Sequence, residues 1–371
     1  MIKKIPLIKP YITQEVKDKV CEVLDSGHLT EGPQTRELED TFKNYIGCRY
    51  SLAVTSCTVG LELALRVLGI GSGDEVIVPD YTYPATADAV AIVGGDVVVV
   101  DVDPDTMLID YDALEKAITS RTKAVIPVSL FGNPVDYSRL NAIKKKYDIS
   151  IVEDAACSIG AEYKGTRVGN LADITVFSLH PRKFITTGEG GMITTNVKRW
   201  ADWMNSYKHF GMKIKTTRLT TSFERIGSNY KLSNVLAAIG VIQMKYIEDQ
   251  LEKRRKFAFN YTEFLKGHPQ VRIPRTTHES RHSYQSFCVF IPNRNEAMQF
   301  LGKKGIEVQI GTYSLHMHKA FANGHHCRFH GNMTGSTYAF DHALTLPLYH
   351  GMSEEDQEYV ILNLIEVLND R

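Results

Sequence analysis

The chain has no excess charge of either sign: 43 lysines and arginines face 43 aspartates and glutamates. That balance excludes a basic surface for neutralising a phosphate backbone, so no nucleic-acid partner is expected. Long apolar runs are missing too. No stretch approaches the ~18 uncharged apolar residues of a membrane helix, and the lysines near the N-terminus leave no apolar leader region. No membrane partner is expected, and the default compartment is the cytoplasm. The six cysteines (Cys21, Cys48, Cys57, Cys157, Cys288 and Cys327) include no C-x-x-C pair, so neither a disulfide framework nor a zinc knuckle is indicated. Collagen-like and disordered classes are excluded by the modest 27 glycines and 13 prolines. The one glycine-dense run, Gly69 to Asp74, lies between a helix end and a strand start, where it reads as a turn and not a dinucleotide loop. A Walker A lysine, a G-x-S-x-G elbow and an H-E-x-x-H helix are absent.

What remains is a 371-residue chain of ordinary composition, long enough for one large and one smaller domain at the usual ~50–250 residues each. Val16, Val20, Val23 and Leu24 fall on one helical face before Gly27, and Leu38, Phe42, Tyr45 and Ile46 on another before Gly47. Short apolar runs then alternate with helix-period segments: Glu75–Pro79, Val97–Asp101, Ala124–Val128 and Ile149–Asp154. Strands apolar on consecutive positions are buried on both faces, which predicts a mostly parallel α/β sheet covered by helices. Ile174–Leu179 and Gly191–Thr195 read as two further strands. The helix-forming run Glu248–Leu265 leads into a second, α+β domain with strands at Ser286–Ile291 and Glu307–Ile310.

Three features carry chemistry. Asp154 stands at the end of a buried strand, where open α/β sheets place ligands; its alternative role is to cap a helix starting at Ala155. Lys183 follows a strand exit in a loop dense in threonine and glycine, and is otherwise a solvated loop lysine. Thr55-Ser-Cys-Thr58 opens a helix, either as an anion site or as ordinary N-capping. Together they supply an anion cradle, a carboxylate and an amine on one sheet edge, the parts that pyridoxal phosphate needs. His316, His318, His325, His326 and His330 with Cys327 match no zinc-finger spacing, so the run reads as a histidine-bearing loop and no metal is expected.

The sequence resembles the DegT/DnrJ/EryC1/StrS family of pyridoxal-phosphate-dependent sugar aminotransferases over nearly its whole length. The resemblance rests on Thr30-Glu-Gly-Pro33, Ser56-Cys-Thr58, Asp74 to Thr86, Glu153-Asp-Ala-Ala156, Ser178-Leu-His-Pro-Arg-Lys183, Thr187 to Met192 and Gly227 to Ser233. It implies fold-type I: a large domain, residues 1–245, with a mostly parallel seven-stranded sheet sandwiched by helices, and a smaller domain, residues 246–371. It further implies that Lys183 holds pyridoxal 5′-phosphate as a Schiff base and acts as general acid and base, and that Asp154 pairs with the pyridinium nitrogen. Tyr83 stacks on the ring, while Ser178, Thr58 and the Cys57 backbone hold the phosphate. Asn229 reaches the neighbouring subunit's phosphate, so a homodimer with shared active sites is expected, and Tyr313 and His316 lie by the sugar. Cys157 stands where the family often has a glutamine that contacts the ring hydroxyl. The implied reaction is ping-pong transfer from an amino acid, L-glutamate by expectation, through pyridoxamine phosphate to a nucleotide-linked 3- or 4-keto-hexose. A free keto-sugar or ketocyclitol is an alternative acceptor. A dehydratase branch with histidine in place of the lysine is disfavoured by Lys183. A cysteine desulfurase is disfavoured because neither Cys157 nor Cys327 lies in a Gly/Ser-rich loop, and a regulator because no residues remain for a helix-turn-helix.

Overall fold

The computed structural model describes residues 3–213, 219–322, 324 and 326–369. Its centre is an eight-stranded sheet made of β1 (Tyr50–Val54), β2 (Glu75–Pro79), β3 (Asp96–Val100), β4 (Thr122–Val125), β5 (Ser150–Asp154), β6 (Ile174–Ser178), β7 (Gly191–Thr195) and β8 (Cys327–His330). The strands lie in the order β1-β7-β6-β5-β4-β2-β3-β8. All run parallel except β7, which pairs antiparallel with β1 and β6.

The apolar runs make this sheet because each buries both faces. In β3, Val98 and Val100 enter a cluster with Leu38, Phe42 and Phe177, whereas Val97 and Val99 enter another with Leu61, Leu65 and Val176. Helices therefore cover both sides. The helix Pro33–Ile46 packs with Asn234–Lys245 on the first face, and Cys57–Val67 lies on the second. The latter helix lies close to the sheet because residue 60 is glycine: a Cβ there would stand 2.5 Å from Val176 Cγ1.

Seven strands come from residues 50–195, as expected, and the eighth corrects the count. The end of the histidine-bearing run read as a loop, Cys327–His330, instead forms β8, parallel to β3 with Cys327 opposite Val97. The reason is partly electrostatic. Arg328 Nη2 and Arg121 Nη2 lie 3.0 and 2.6 Å from the two oxygens of buried Glu75, which ties the new edge strand to β2. His325 lies outside the described residues.

A separate apolar cluster joins the helices Ile247–Leu265 and Glu354–Asn369 to a three-stranded sheet of Phe287–Phe290, Ala343–Leu346 and Gln309–Ile310. Ile5 belongs to it as well. Among the described residues no helix is long and apolar enough to cross a membrane.

Candidate active site

At the C-terminal edge of the parallel strands lies a cavity of about 350 Å³, lined by Ser56, Cys57, Thr58, Tyr83, Asp154, Cys157, Ser178, Lys183 and Tyr313 among others. Asp154 ends β5 and Ser178 ends β6, two adjacent parallel strands, so the fold itself sets these side chains together. The helix Cys57–Val67 begins at the same edge. Ser56 caps it, its Oγ accepting from the Val59 N–H at 3.2 Å, which turns the remaining first-turn N–H groups toward the cavity. Strand β7 closes in behind this turn only because residue 191 is glycine: a Cβ would stand 2.6 Å from the Ser56 carbonyl carbon.

The Asp154 side chain is almost fully buried. Thr86 Oγ1 donates to its Oδ2 at 2.7 Å and the Ala156 N–H to its Oδ1 at 3.1 Å. Burial pushes this carboxyl up, while the Thr86 and Ala156 hydrogen bonds and the Lys183 charge draw it down; burial prevails. The capping alternative for Asp154 is not realised, because residues 155–160 form turns and no helix. A carboxylate so placed gains from a cation that comes into the cavity.

Lys183 leaves the loop after β6 and its Nζ donates to Cys157 Sγ at 3.2 Å. Burial would push the ammonium down, but Cys157 first, then Asp154 and Cys57, hold it above the ordinary lysine value. Tyr83 is 64% exposed at the rim, with its ring 6.1 Å from that of Tyr313. The pairing of Tyr313–Ser314 with Tyr81–Thr82 fixes both rings at the mouth.

His316 is not at the cavity, and Asn229, expected at a neighbouring subunit's phosphate, does not line its own. Asn229 is exposed, and its backbone bridges His209 on a neighbouring loop. His316 Nδ1 lies 2.5 Å from Oδ2 of the fully buried Asp80, and its backbone N–H donates to Oδ1 of the same carboxylate at 2.8 Å. His316 therefore anchors the Tyr313 strand from behind. Sequence reasoning missed Thr86, although it closes the Asp74 to Thr86 signature and lies four residues after Thr82, with which it hydrogen-bonds. It also missed Arg182, Glu189 and Gln285 on the cavity wall. Gln285 Nε2 donates to the Arg182 carbonyl from the bend that precedes Phe287–Phe290, far away in sequence, and no local signal marks it.

Beside Asp154, Glu153 points to the other face of β5 and is fully buried. Ser129 Oγ and Tyr137 OH each donate to its Oε1 at 2.6 Å. Burial nevertheless pushes this carboxyl up to about 7, against the pull of those hydroxyls. A folded-state value above the unfolded one means that the folded protein binds more protons between about pH 4.5 and 7, so stability falls as pH rises through that window. The loss approaches ~3 kcal/mol at about 1.4 kcal/mol per unit. Glu153→Gln should flatten this slope, and thermal melts of both proteins at pH 5 and pH 8 check it. Equal slopes would refute the assignment.

The residues present fit pyridoxal phosphate: a half-buried amine, a buried carboxylate in need of a cation, and a hydroxyl-lined helix start share one cavity. Residues 10–365 match the DegT/DnrJ/EryC1/StrS aminotransferase family. The chain is 31% identical to a UDP-4-amino-4-deoxy-L-arabinose–oxoglutarate aminotransferase of Shewanella sediminis, covering 99% of each. Among solved structures, it matches a Streptococcus pneumoniae protein assigned as a sugar aminotransferase, in its PMP form, with TM-score 0.93, 30% identity and coverage of 99% and 98%. S. venezuelae DesV in complex with a ketimine intermediate matches with TM-score 0.92 and 29% identity over 98% of both chains. The chain thus belongs to the DegT/DnrJ/EryC1/StrS aminotransferase family, and is a pyridoxal-phosphate-dependent transaminase of fold-type I.

Proposed function

We propose that this protein moves an amino group from L-glutamate to a nucleotide-linked 3- or 4-keto-hexose, in two half-reactions that share one cavity. The observation that carries the reading is the placement of Lys183 and Asp154 on the wall of a single cavity of about 350 Å³. Pyridoxal phosphate, when bound, supplies an electron sink for the pair left behind as a proton leaves the substrate Cα. Lys183 Nζ holds the cofactor and then carries that proton, as base and later as acid. Asp154 holds a proton at the ring nitrogen, and Thr86 fixes its carboxylate in place. Ser178, Thr58 and the Cys57 backbone receive the phosphate at the helix N-terminus. Tyr83 and Cys157, both on the cavity wall, would contact the bound ring, Tyr83 by stacking. Tyr313 meets the sugar directly; His316 acts through Tyr313's strand.

We read residues 1–245 as the cofactor domain and 246–371 as the small domain. The separate apolar cluster of the second part supports this division, with β8 crossing back into the large sheet. We further propose a homodimer with shared active sites, in the cytoplasm. Supporting the dimer, Asn229 stands outside its own cavity, and the neighbouring residues Phe210, Leu219, Phe223 and Ile226 expose a large apolar surface.

An absorbance titration tests the function. The pyridoxamine-phosphate-loaded protein, mixed with a panel of nucleotide-keto-sugars, should regain the visible band of the aldehyde form with one or more of them. No change with any sugar would overturn the acceptor class. No loss of that band when glutamate meets the aldehyde form would overturn the donor.

A further inference from the structure

The amine of Lys183 and the thiol of Cys157 touch on an open cavity wall. Their 3.2 Å N···S separation is short enough that a small lysine rotation brings the atoms to bonding distance. Both side chains are half-buried and line the cavity, which admits small solutes. The other cysteines are placed differently. Cys57 Sγ lies 4.0 Å from Asp154 Oδ1, and burial together with that carboxylate pushes its thiol far up, which keeps it protonated and sluggish. Cys48 and Cys288 are buried, and Cys21 is exposed on the helix Gln14–Ser26 and does not line the cavity. Cys327 is raised to about 11. Cys157, by contrast, has the Lys183 amine in hydrogen-bond contact with its sulfur.

We propose that Cys157 and Lys183 form a reversible redox modification site: in the cofactor-free protein, a peroxide links them as a sulfenamide, which blocks cofactor loading until a thiol reduces it. In the first step the sulfur attacks one peroxide oxygen and the O–O bond breaks. Hydrogen peroxide is reduced to water as the thiol becomes a sulfenic acid. In the second, the Nζ lone pair attacks that sulfur, an N–S bond forms, the S–O bond breaks, and the hydroxyl leaves with an amine proton as a second water. The pair has lost two hydrogens and the sulfur two electrons. Two equivalents of an added thiol reverse this by exchange through sulfur. The geometry favours the sequence: the amine that the second step consumes already lies against the sulfur that the first step oxidises.

The role of Lys183 in cofactor loading rests on the function proposed above; the linkage itself needs only the pair. Cofactor-free protein treated with stoichiometric hydrogen peroxide should lose about 2 Da in intact mass. Proteolytic mapping should recover a peptide joining Cys157 to Lys183, and dithiothreitol should restore both the mass and the uptake of pyridoxal phosphate. Cys157→Ser should show no linked peptide. Oxygen addition at Cys157 without linkage, or an equal mass loss that maps to a Cys57–Cys157 disulfide, would overturn the proposal. Preloading with pyridoxal phosphate separates the two readings. Protection supports both. Linkage that forms equally with and without cofactor counts against Lys183 as the cofactor lysine while leaving the linkage in place.

Discussion

Lys183→Ala is expected to lower turnover with any amino donor by roughly 10⁴-fold, the upper range for removing a positioned general acid and base. The loss should be larger than for any other cavity residue because one nitrogen does two tasks in the proposal: it holds the cofactor and it moves the Cα proton. Substitution by alanine removes both and strips Cys157 of its ammonium neighbour. The fold should survive, since Lys183 makes its contact within the cavity and not within the apolar clusters. Added primary amines such as methylamine should return part of the rate by standing in for the missing base. Single-turnover kinetics with and without amine check this, and full turnover in the alanine variant would overturn the site assignment.

The next largest effect is expected at Asp154. Asp154→Asn keeps the shape and an acceptor for the Thr86 hydroxyl, but removes the negative charge facing the cavity. On the proposed role, the ring nitrogen would then lose the proton that this charge holds, and the electron sink would weaken. A fall of ~10²- to 10³-fold in rate is expected, the usual size for removing one aimed electrostatic group. Stability should move differently. Burial raises the Asp154 carboxyl, so its charge is held at a cost in the cofactor-free fold. The asparagine variant should therefore lose rate without a matching loss of melting temperature. A collapse of melting temperature in step with activity would mean that Asp154 is a structural residue.

The parts of this site legible in the sequence are those set by consecutive residues. Asp154 and Ser178 could be placed at strand ends because Ile151-Val152 and Val176-Phe177 are apolar without interruption, the mark of strands buried on both faces. Ser56 could be read as a cap from its type and place. Strand β8 could not be read. Its residues Cys327-Arg-Phe-His330 are only half-buried and alternate in character, and the strand exists because β3 offers an open edge and Glu75 offers Arg328 a buried carboxylate. His316 shows the same limit. The family resemblance places it near the sugar, but its ring is held on the Asp80 carboxylate, which arrives from the end of β2, and does not line the cavity. Thr86 lies between these cases: its position in the signature was plain, and its task became visible only once β5 brought Asp154 to it.

Borohydride trapping tests the central assignment most directly. Protein loaded with pyridoxal phosphate is reduced with sodium borohydride, digested and mapped by mass spectrometry. The account predicts one phosphopyridoxyl group per chain, on Lys183. Stable attachment at another lysine, or none at all under conditions where the cofactor is bound, would contradict it.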